Sequence, residues 1–232
     1  MQYVISDIHG MYDKYAAMLD TVGFGDDDVL YVCGDVLDRG PEPVRVLRDM
    51  ALRPNVYPIM GNHELMALSV LRNVCVDITA DNCDGGLDEG VLHRLLDWQQ
   101  EGGHTTLEGF RALPPDARAD LIEYLCDFAP YEVTSAGGRT FILVHSGLGN
   151  FRPDKKLSQY TLEELAFCRP DYADYLFDDR SVYVVAGHTP TRLIHGKDAV
   201  YTHCNNVCID CGAVFGGKLA CLRLDDMAEF YV

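Results

Sequence analysis

The order of apolar segments along the chain limits the folds that it can adopt. Short apolar stretches suited to β-strands alternate with stretches whose apolar residues recur at helical spacing. In the first third of the chain, strands are predicted at 3–5, 29–33 and 56–60, and helices at 11–19, at 44–52 and from 65–71 onward. Strands and helices that alternate in this way form βαβ units around a parallel sheet.

The segment from about 73 to 130 departs from this alternation. It contains Gly-Gly pairs at 85–86 and 102–103 and helical runs at 92–98 and 117–128, so it predicts a helical insertion on the sheet or over its edge. Strands are predicted again further along, at 141–144, 182–186, 207–209 and 219–224. Because no long linker separates these parts, we expect a single domain over residues 1–232.

Length and charge exclude several classes of protein. A chain of 232 residues with 48% hydrophobic residues can bury about 70–75% of its unfolded surface, so it is neither disordered nor a small disulfide scaffold. Its net charge of -17 argues against general nucleic-acid binding. No signal peptide and no apolar run of about 20 residues is visible, so we expect a soluble cytoplasmic protein that binds no membrane.

The nine cysteines are irregularly spaced and odd in number, which argues against a secreted disulfide framework. Cys204, Cys208 and Cys211, with His203 beside them, could bind zinc. A strand followed by a turn explains this cluster better, because no second ligand pair has the spacing of a zinc site.

Immediately after the predicted strands come residues of the types that bind metals. They are Asp7 and His9, then Asp35 and Asp38, then Asn62 and His63, then His145, and finally His188. In parallel α/β sheets, the loops at the carboxyl ends of the strands meet in one crevice, where ligands bind. We therefore expect these side chains to lie close together.

The ligand types favour a site with two metal ions. Any one of these residues could belong to an ordinary turn, and Asn62 could be a helix N-cap, but independent turns do not explain the whole ordered set. Mixed imidazole and carboxylate ligands suit manganese, iron or zinc. Two Asp, one Asn and three His from this set are too many for one ion and suit two ions about 3.5–4 Å apart that share a bridging carboxylate.

These residues stand in blocks that resemble those of the calcineurin-like metallophosphoesterases. The blocks are Asp7-x-His9-Gly, Gly-Asp35-x-x-Asp38-Arg39-Gly, Gly-Asn62-His63-Glu, His145-Ser-Gly and Gly-His188-Thr. More narrowly, they resemble bacterial and phage members of the phosphoprotein phosphatase family of serine/threonine phosphatases, and residues 209–219 resemble the closing strands of bacterial members. Ser6 stands where many members have glycine. The resemblance implies a sandwich of two mixed β-sheets flanked by helices.

The resemblance also implies a role for each ligand. Asp7 and His9 would hold one metal ion, and Asp35 would bridge to the second. Asn62, His145 and His188 would complete the second site. The implied nucleophile is a hydroxide between two divalent ions, with manganese expected and iron or zinc as alternatives.

Other residues would act on the substrate. By the same resemblance, His63 would protonate the leaving oxygen, Asp38 would orient His63, and Arg39 would hold the phosphate. A second phosphate-binding arginine is expected before the Gly-His-Thr block, and Arg169 fits that place better than Arg180.

Two further residues beside the motifs have simpler interpretations. Glu64 is predicted to lie in the first turn of the helix that follows the site, where the helix dipole stabilises a carboxylate. Trp98, with the glycines at 102–103, could lie near the site mouth or could simply pack in the core.

The expected activity is metal-dependent hydrolysis of phosphomonoesters, with a phosphoprotein or phosphopeptide as substrate and small phosphoesters as further ones. A symmetrical dinucleoside tetraphosphatase, or another nucleotide phosphohydrolase, shares every metal block and is the alternative. The stretches Arg169-Pro-Asp-Tyr and Gly-Ala-Val-Phe-Gly-Gly resemble the bacterial protein phosphatases more closely. A non-catalytic scaffold is a third alternative, against which the intact ligand set argues.

Overall fold

A computed structural model describes residues 1–75 and 88–232. The strands are β1 (Gln2–Ile5), β2 (Val29–Cys33), β3 (Val56–Ile59), β4 (Glu132–Ala136), β5 (Arg139–Leu143), β6 (Val182–Ala186), β7 (Tyr201–His203), β8 (Asn206–Cys208), β9 (Ala220–Arg223) and β10 (Ala228–Tyr231). The α-helices are α1 (Tyr12–Val22), α2 (Pro43–Ala51), α3 (Asn62–Val74), α4 (Glu89–Gln100), α5 (His104–Arg111), α6 (Pro115–Cys126), α7 (Leu162–Ala166) and α8 (Thr191–His195). Short 3₁₀ helices span Leu157–Gln159 and Ala213–Phe215.

The strands form two five-stranded sheets, in the orders β10-β9-β1-β2-β3 and β4-β5-β6-β8-β7. In the first sheet β1, β2 and β3 are parallel, and in the second β5, β6 and β8 are parallel. The remaining strands pair antiparallel at the edges. The expected fold of two mixed sheets flanked by helices is confirmed, and the predicted βαβ units supply the parallel part of each sheet.

Three apolar clusters hold the layers together. Side chains from both sheets, such as Val4, Phe141 and Val185, form the core between them. The opposite face of the first sheet packs against the long helices through residues such as Tyr15 and Leu47. The opposite face of the second sheet is covered by a smaller third cluster. This layering follows from the two-residue period of strands, which sends neighbouring side chains to opposite faces.

The helical insertion is present as α4, α5 and α6. These helices pack against α2 and α3 on the outer side of the first sheet. The glycine pair at 102–103 separates α4 from α5. The other predicted glycine pair, at 85–86, lies outside the described residues.

The sequence patterns missed several short elements, including β4, β7 and β10. In β4 the side chain of Val133 is exposed and the other residues are polar or small, so no apolar run marks the strand. β7 consists of Tyr-Thr-His and is paired only with β8. Backbone pairing to a neighbouring strand, rather than side-chain pattern, defines such edge strands.

None of the helices in the described ranges has the length and apolar character needed to cross a membrane.

Candidate active site

The predicted metal ligands meet where the central strands end. Asp7 and His9 follow β1, Asp35 follows β2, and Asn62 begins α3 after β3. From the second sheet, His145 follows β5 and His188 follows β6. All of them are buried except His188, which is partly exposed. The structure thus brings the whole predicted ligand set to one edge of the two sheets.

The loops that carry these residues have an unusual backbone. Positive φ angles occur at Asp7, His9, Asp35, Asp38, Arg39 and His188. This conformation costs a residue with a side chain about 1–2 kcal/mol, and such strain clusters at functional sites. At Gly187 the two sheets approach so closely that a Cβ atom would lie 2.0 Å from Asp7 Oδ2, which only glycine avoids. The backbone amide of His188 donates to the same carboxylate.

Asp35 lies between two groups of ligands. Its Oδ2 is 3.6 Å from His9 Nε2, and its Oδ1 is 3.3 Å from His145 Nε2. One group consists of His9, Asp35 and His63, and the other of Asp35, His145 and His188. Because Asp35 belongs to both, its two oxygens are placed as a carboxylate that bridges two ions would need.

The second group is tightly clustered. Asn62 Oδ1 is 2.9 Å from His145 Nε2 and 3.0 Å from His188 Nδ1. The other nitrogen of His145, Nδ1, donates to the carbonyl of Cys33 at 2.8 Å. His9 Nδ1 donates in the same way to the carbonyl of Leu37. Hydrogen bonds of this kind fix the tautomer and turn Nε2 toward a metal.

The protonation behaviour of the ligands fits divalent cations. Burial, with a smaller effect from Asp210, raises the pKa of Asp7 well above its usual value. Burial also raises the pKa of Asp35, and the charge of Asp7 adds to this shift. For His9 and His145 burial lowers the pKa, so both imidazoles are neutral, which is the form that binds metals. A bound cation would relieve the repulsion between the carboxylates.

Asp210 is a buried carboxylate that the sequence analysis did not select. Burial raises its pKa to about 6, and it accepts a hydrogen bond from the amide of Gly212. Its position carried a signal, because it follows the predicted strand 207–209 just as the chosen ligands follow theirs.

His63 and Asp38 form a buried pair beside the ligands. His63 Nδ1 lies 2.7 Å from Asp38 Oδ2. His63 Nε2 is buried, has no hydrogen-bond partner among the described residues, and lies 3.9 Å from Asp35 Oδ2. The imidazole therefore presents one nitrogen to Asp38 and the other to the centre of the site.

The insertion helices fix this pair from outside. Trp98 Nε1 of α4 donates to Asp38 Oδ2 at 2.7 Å, and Thr106 Oγ1 of α5 donates to Asp38 Oδ1 at 2.5 Å. The amide of Asp38 donates back to Thr106 Oγ1. Trp98 is thus both fully buried and hydrogen-bonded to a site residue. No sequence motif marked Thr106, since its role depends on how α5 packs.

Arg39 lies against the first ligand group. Its Nη1 is 2.7 Å from His9 Nε2, and its Nη2 is 3.4 Å from Glu101 Oε2. The amide of Arg39 donates to the carbonyl of Gly102, which ties its loop to the turn after α4.

The two candidate arginines from the later segment differ in their surroundings. Arg169 is exposed. The pKa of His188 is lowered to about 4, first by burial and second by the charge of Arg169. Arg180 instead stacks on Tyr175, with its Cζ 3.6 Å from the ring centroid. Of the two, Arg169 is the one whose charge acts on the pKa of a ligand residue.

Glu64 has a larger role than its place in the first helical turn suggested. Its fully buried carboxylate accepts hydrogen bonds from the amides of Asp35, Val36, Leu37 and Gly61, at 2.8 to 3.1 Å. It therefore holds the loop that positions Asp35. The adjacency of Glu64 to Asn62 and His63 was the only sequence signal for this role.

The three cysteines of the cluster lie in β8 and in the segments on either side of it. Cys208 and Cys211 are buried, Cys204 is partly exposed, and the potential ligand groups found among the described residues contain no cysteine. This agrees with a strand followed by a turn.

The Glu64 contacts lead to a test. Glu64→Gln replaces one acceptor oxygen by a donor that faces backbone amides, so the Asp35 loop should loosen and metal affinity should fall about 10- to 100-fold. Calorimetric titration with manganese would measure this, with Glu163→Gln, an exposed glutamate of α7, as the matched control. Equal affinity in both variants would contradict the role given to Glu64.

Known proteins resemble this chain along different parts of its length. A bis(5'-nucleosyl)-tetraphosphatase named as asymmetrical, PrpE of Geobacillus sp. (strain WCH70), is 28% identical over 99% of this chain and 92% of its own length. A symmetrical bis(5'-nucleosyl)-tetraphosphatase of Wigglesworthia glossinidia brevipalpis is 33% identical over 98 residues, which are 41% of this chain. The match spans only 36% of that relative's length.

Similarity in structure supports the same fold. A crystal structure assigned to the diadenosine tetraphosphatases superposes with a TM-score of 0.67 at 17% identity, covering 100% of this chain and 92% of the other. Residues 3–217 match the model of the calcineurin-like phosphoesterases, a range that contains every ligand described above. The chain therefore belongs to the calcineurin-like phosphoesterase family.

Proposed function

We propose that this phosphoesterase hydrolyses a phosphoanhydride bond of a dinucleoside polyphosphate. The observation that carries the proposal is the similarity, over nearly the whole of both chains, to a protein named bis(5'-nucleosyl)-tetraphosphatase. A symmetrical enzyme matches 98 residues of this chain as well. This reverses the preference drawn from the motifs, which ranked phosphoproteins first and dinucleotides second.

The buried ligands would hold two divalent ions. His9 with Asp35 suits one ion, and Asp35 with His145 and His188 suits the other. Asp7 would complete the first ligand set and Asn62 the second, manganese being our choice ahead of iron or zinc. When bound, two such ions polarise a phosphoryl oxygen and lower the pKa of a coordinated water.

Two arginines would bind the phosphate chain. In a protein of net charge -17, a polyphosphate needs a local positive surface. Arg39 lies 2.7 Å from His9, and the charge of Arg169 acts on His188, so the two guanidinium groups would hold phosphate oxygens near both ligand groups.

His63 would donate a proton to the leaving oxygen. Hydrolysis adds water to phosphorus and breaks the bond to the leaving oxygen, which needs a proton if it is basic. His63 Nε2, which has no other partner among the described residues, would give that proton, while Asp38 holds Nδ1. Trp98 and Thr106 would keep Asp38 in place.

The same pair favours a second candidate function. A seryl alkoxide is a strong base and leaves only with a proton, whereas a nucleotide phosphate leaves more easily. An imidazole fixed this firmly by Asp38, Trp98 and Thr106 suits the harder reaction, so hydrolysis of phosphoserine or phosphothreonine in proteins is the second candidate.

The substrate class can be decided by a rate comparison. Manganese-loaded protein should hydrolyse bis(5'-adenosyl) tetraphosphate with a higher kcat/KM than a phosphoserine peptide. Asp35→Asn should abolish both activities because it removes the shared ligand, while its circular dichroism spectrum stays native. The opposite ranking of substrates would favour the second candidate, and near-normal turnover by Asp35→Asn would contradict the two-metal site.

The role of His63 predicts a dependence on the leaving group. His63→Asn should slow phosphoserine peptide hydrolysis by about 10²–10⁴-fold, and p-nitrophenyl phosphate hydrolysis far less, because nitrophenolate leaves without a proton. Asp38→Asn should give a milder form of this bias. Metal content is measured alongside, since loss of an ion from His63→Asn would make His63 a ligand instead.

The role of Arg169 predicts weaker substrate binding on its removal. Arg169→Ala should raise KM about tenfold and weaken inhibition by free phosphate, because a charge-assisted hydrogen bond is lost. Arg180→Ala, which removes an arginine stacked on Tyr175, is the matched control and should leave both quantities unchanged. If Arg180→Ala raises KM and weakens phosphate inhibition while Arg169→Ala changes neither, Arg180 is the phosphate ligand.

A further inference from the structure

The loop between β8 and β9 is constrained by tight turns and by hydrogen bonds. Gly212 and Gly216, with φ of 72° and 79°, flank its 3₁₀ turn at Ala213–Phe215. The amide of Gly217 donates to the carbonyl of Gly212 at 2.9 Å, which closes the loop. From α1, Lys14 Nζ donates to the carbonyl of Gly217. A loop tied both internally and to a helix can present a side chain without losing much entropy when a ligand binds.

This loop presents an aromatic ring to solvent. Phe215 is 53% exposed, although Ala213 in the same turn is only 3% exposed and anchors the loop in the core. Burial of a phenylalanine normally contributes about 1.5–3 kcal/mol, so an exposed ring on a rigid loop forgoes that stabilisation. Single exposed apolar side chains are common at protein surfaces, so the position of this ring, and not its exposure alone, bears on function.

The ring lies next to the candidate catalytic centre. The guanidinium carbon of Arg39 is 5.3 Å from the centroid of Phe215. The same guanidinium lies 2.7 Å from His9 Nε2. Phe215 is thus separated from the first metal ligands by one side chain, and that side chain is a cation able to hold phosphate.

We propose that Phe215 is the stacking surface for one nucleobase of the substrate. This inference rests on the proposed function and adds to it a binding site for the nucleoside. A nucleotide whose phosphates lie on Arg39 and the metal ligands would extend its sugar and base outward, toward the exposed ring. Every nucleobase has a flat π-face, so stacking on a phenylalanine binds nucleotides with little preference among bases.

The test compares ligands with and without a base. Phe215→Ala should raise KM for bis(5'-adenosyl) tetraphosphate about tenfold while kcat stays within about twofold, because stacking acts on binding. Calorimetry should show the same loss of affinity for a non-hydrolysable methylene-bridged analogue. Inorganic tripolyphosphate, which has no base, should bind the variant and the unmodified protein equally. Phe215→Trp should restore dinucleotide affinity.

Tyr57→Ala provides the matched control. Tyr57 is an exposed aromatic residue near the start of β3, at the opposite end of that strand from Asn62, and its removal should change none of these values.

The outcomes separate this inference from the proposed function. Unchanged analogue affinity in Phe215→Ala would overturn the stacking role, even if the protein hydrolyses dinucleotides. Equal losses for the analogue and for tripolyphosphate would overturn it too, because the ring would then act by holding Arg39. A loss confined to phosphopeptides would assign the ring to a protein substrate. If the unmodified protein binds the analogue through Phe215 but does not hydrolyse dinucleotides, the proposed function fails and the base site stands.

Discussion

The carboxylate of Asp35 has one oxygen facing His9 and the other facing His145, and the site is built around that division. Such a group is costly to bury beside Asp7, as the raised pKa of both carboxyls indicates. Glu64 holds the Asp35 loop by accepting its backbone amides, but its own charge raises the pKa of Asp35 further. A buried carboxylate cluster with neutral imidazoles around it is stabilised in its charged form by cations, which the proposed metal ions would supply.

The two sheets supply different parts of this arrangement. The first sheet contributes Asp7, His9 and Asp35, and the second contributes His145 and His188. Neither sheet alone holds a complete set for two ions, so the apolar core between the sheets also sets the distance between the ligand groups. Packing and chemistry are therefore linked at this edge, where a shift of either sheet would separate the ligands.

Outside the ligand cluster, buried residues that hold Asp38 differ from exposed residues that we propose bind the substrate. Trp98 and Thr106 reach Asp38 from the insertion and act on the position of His63. Arg169 and Phe215 lie outward from the ligands and are exposed, where a substrate can reach them. A fold does not by itself set the substrate, so we expect substrate choice to depend on outer residues of this kind.

The sequence determined the αβ alternation and the family, and it predicted the ligand set, because apolar periods and strand-end polar residues are local patterns. It identified Asp35 and His63 as candidate site residues. It left open whether Trp98 belongs to the core or to the site, and no motif pointed to Thr106. The roles of Trp98 and Thr106 depend on how α4 and α5 pack over the first sheet, since a hydrogen bond between residues far apart in sequence leaves no local pattern. Edge strands such as β4 were also decided by tertiary pairing, because their stability comes from a neighbour's backbone rather than from their own side chains.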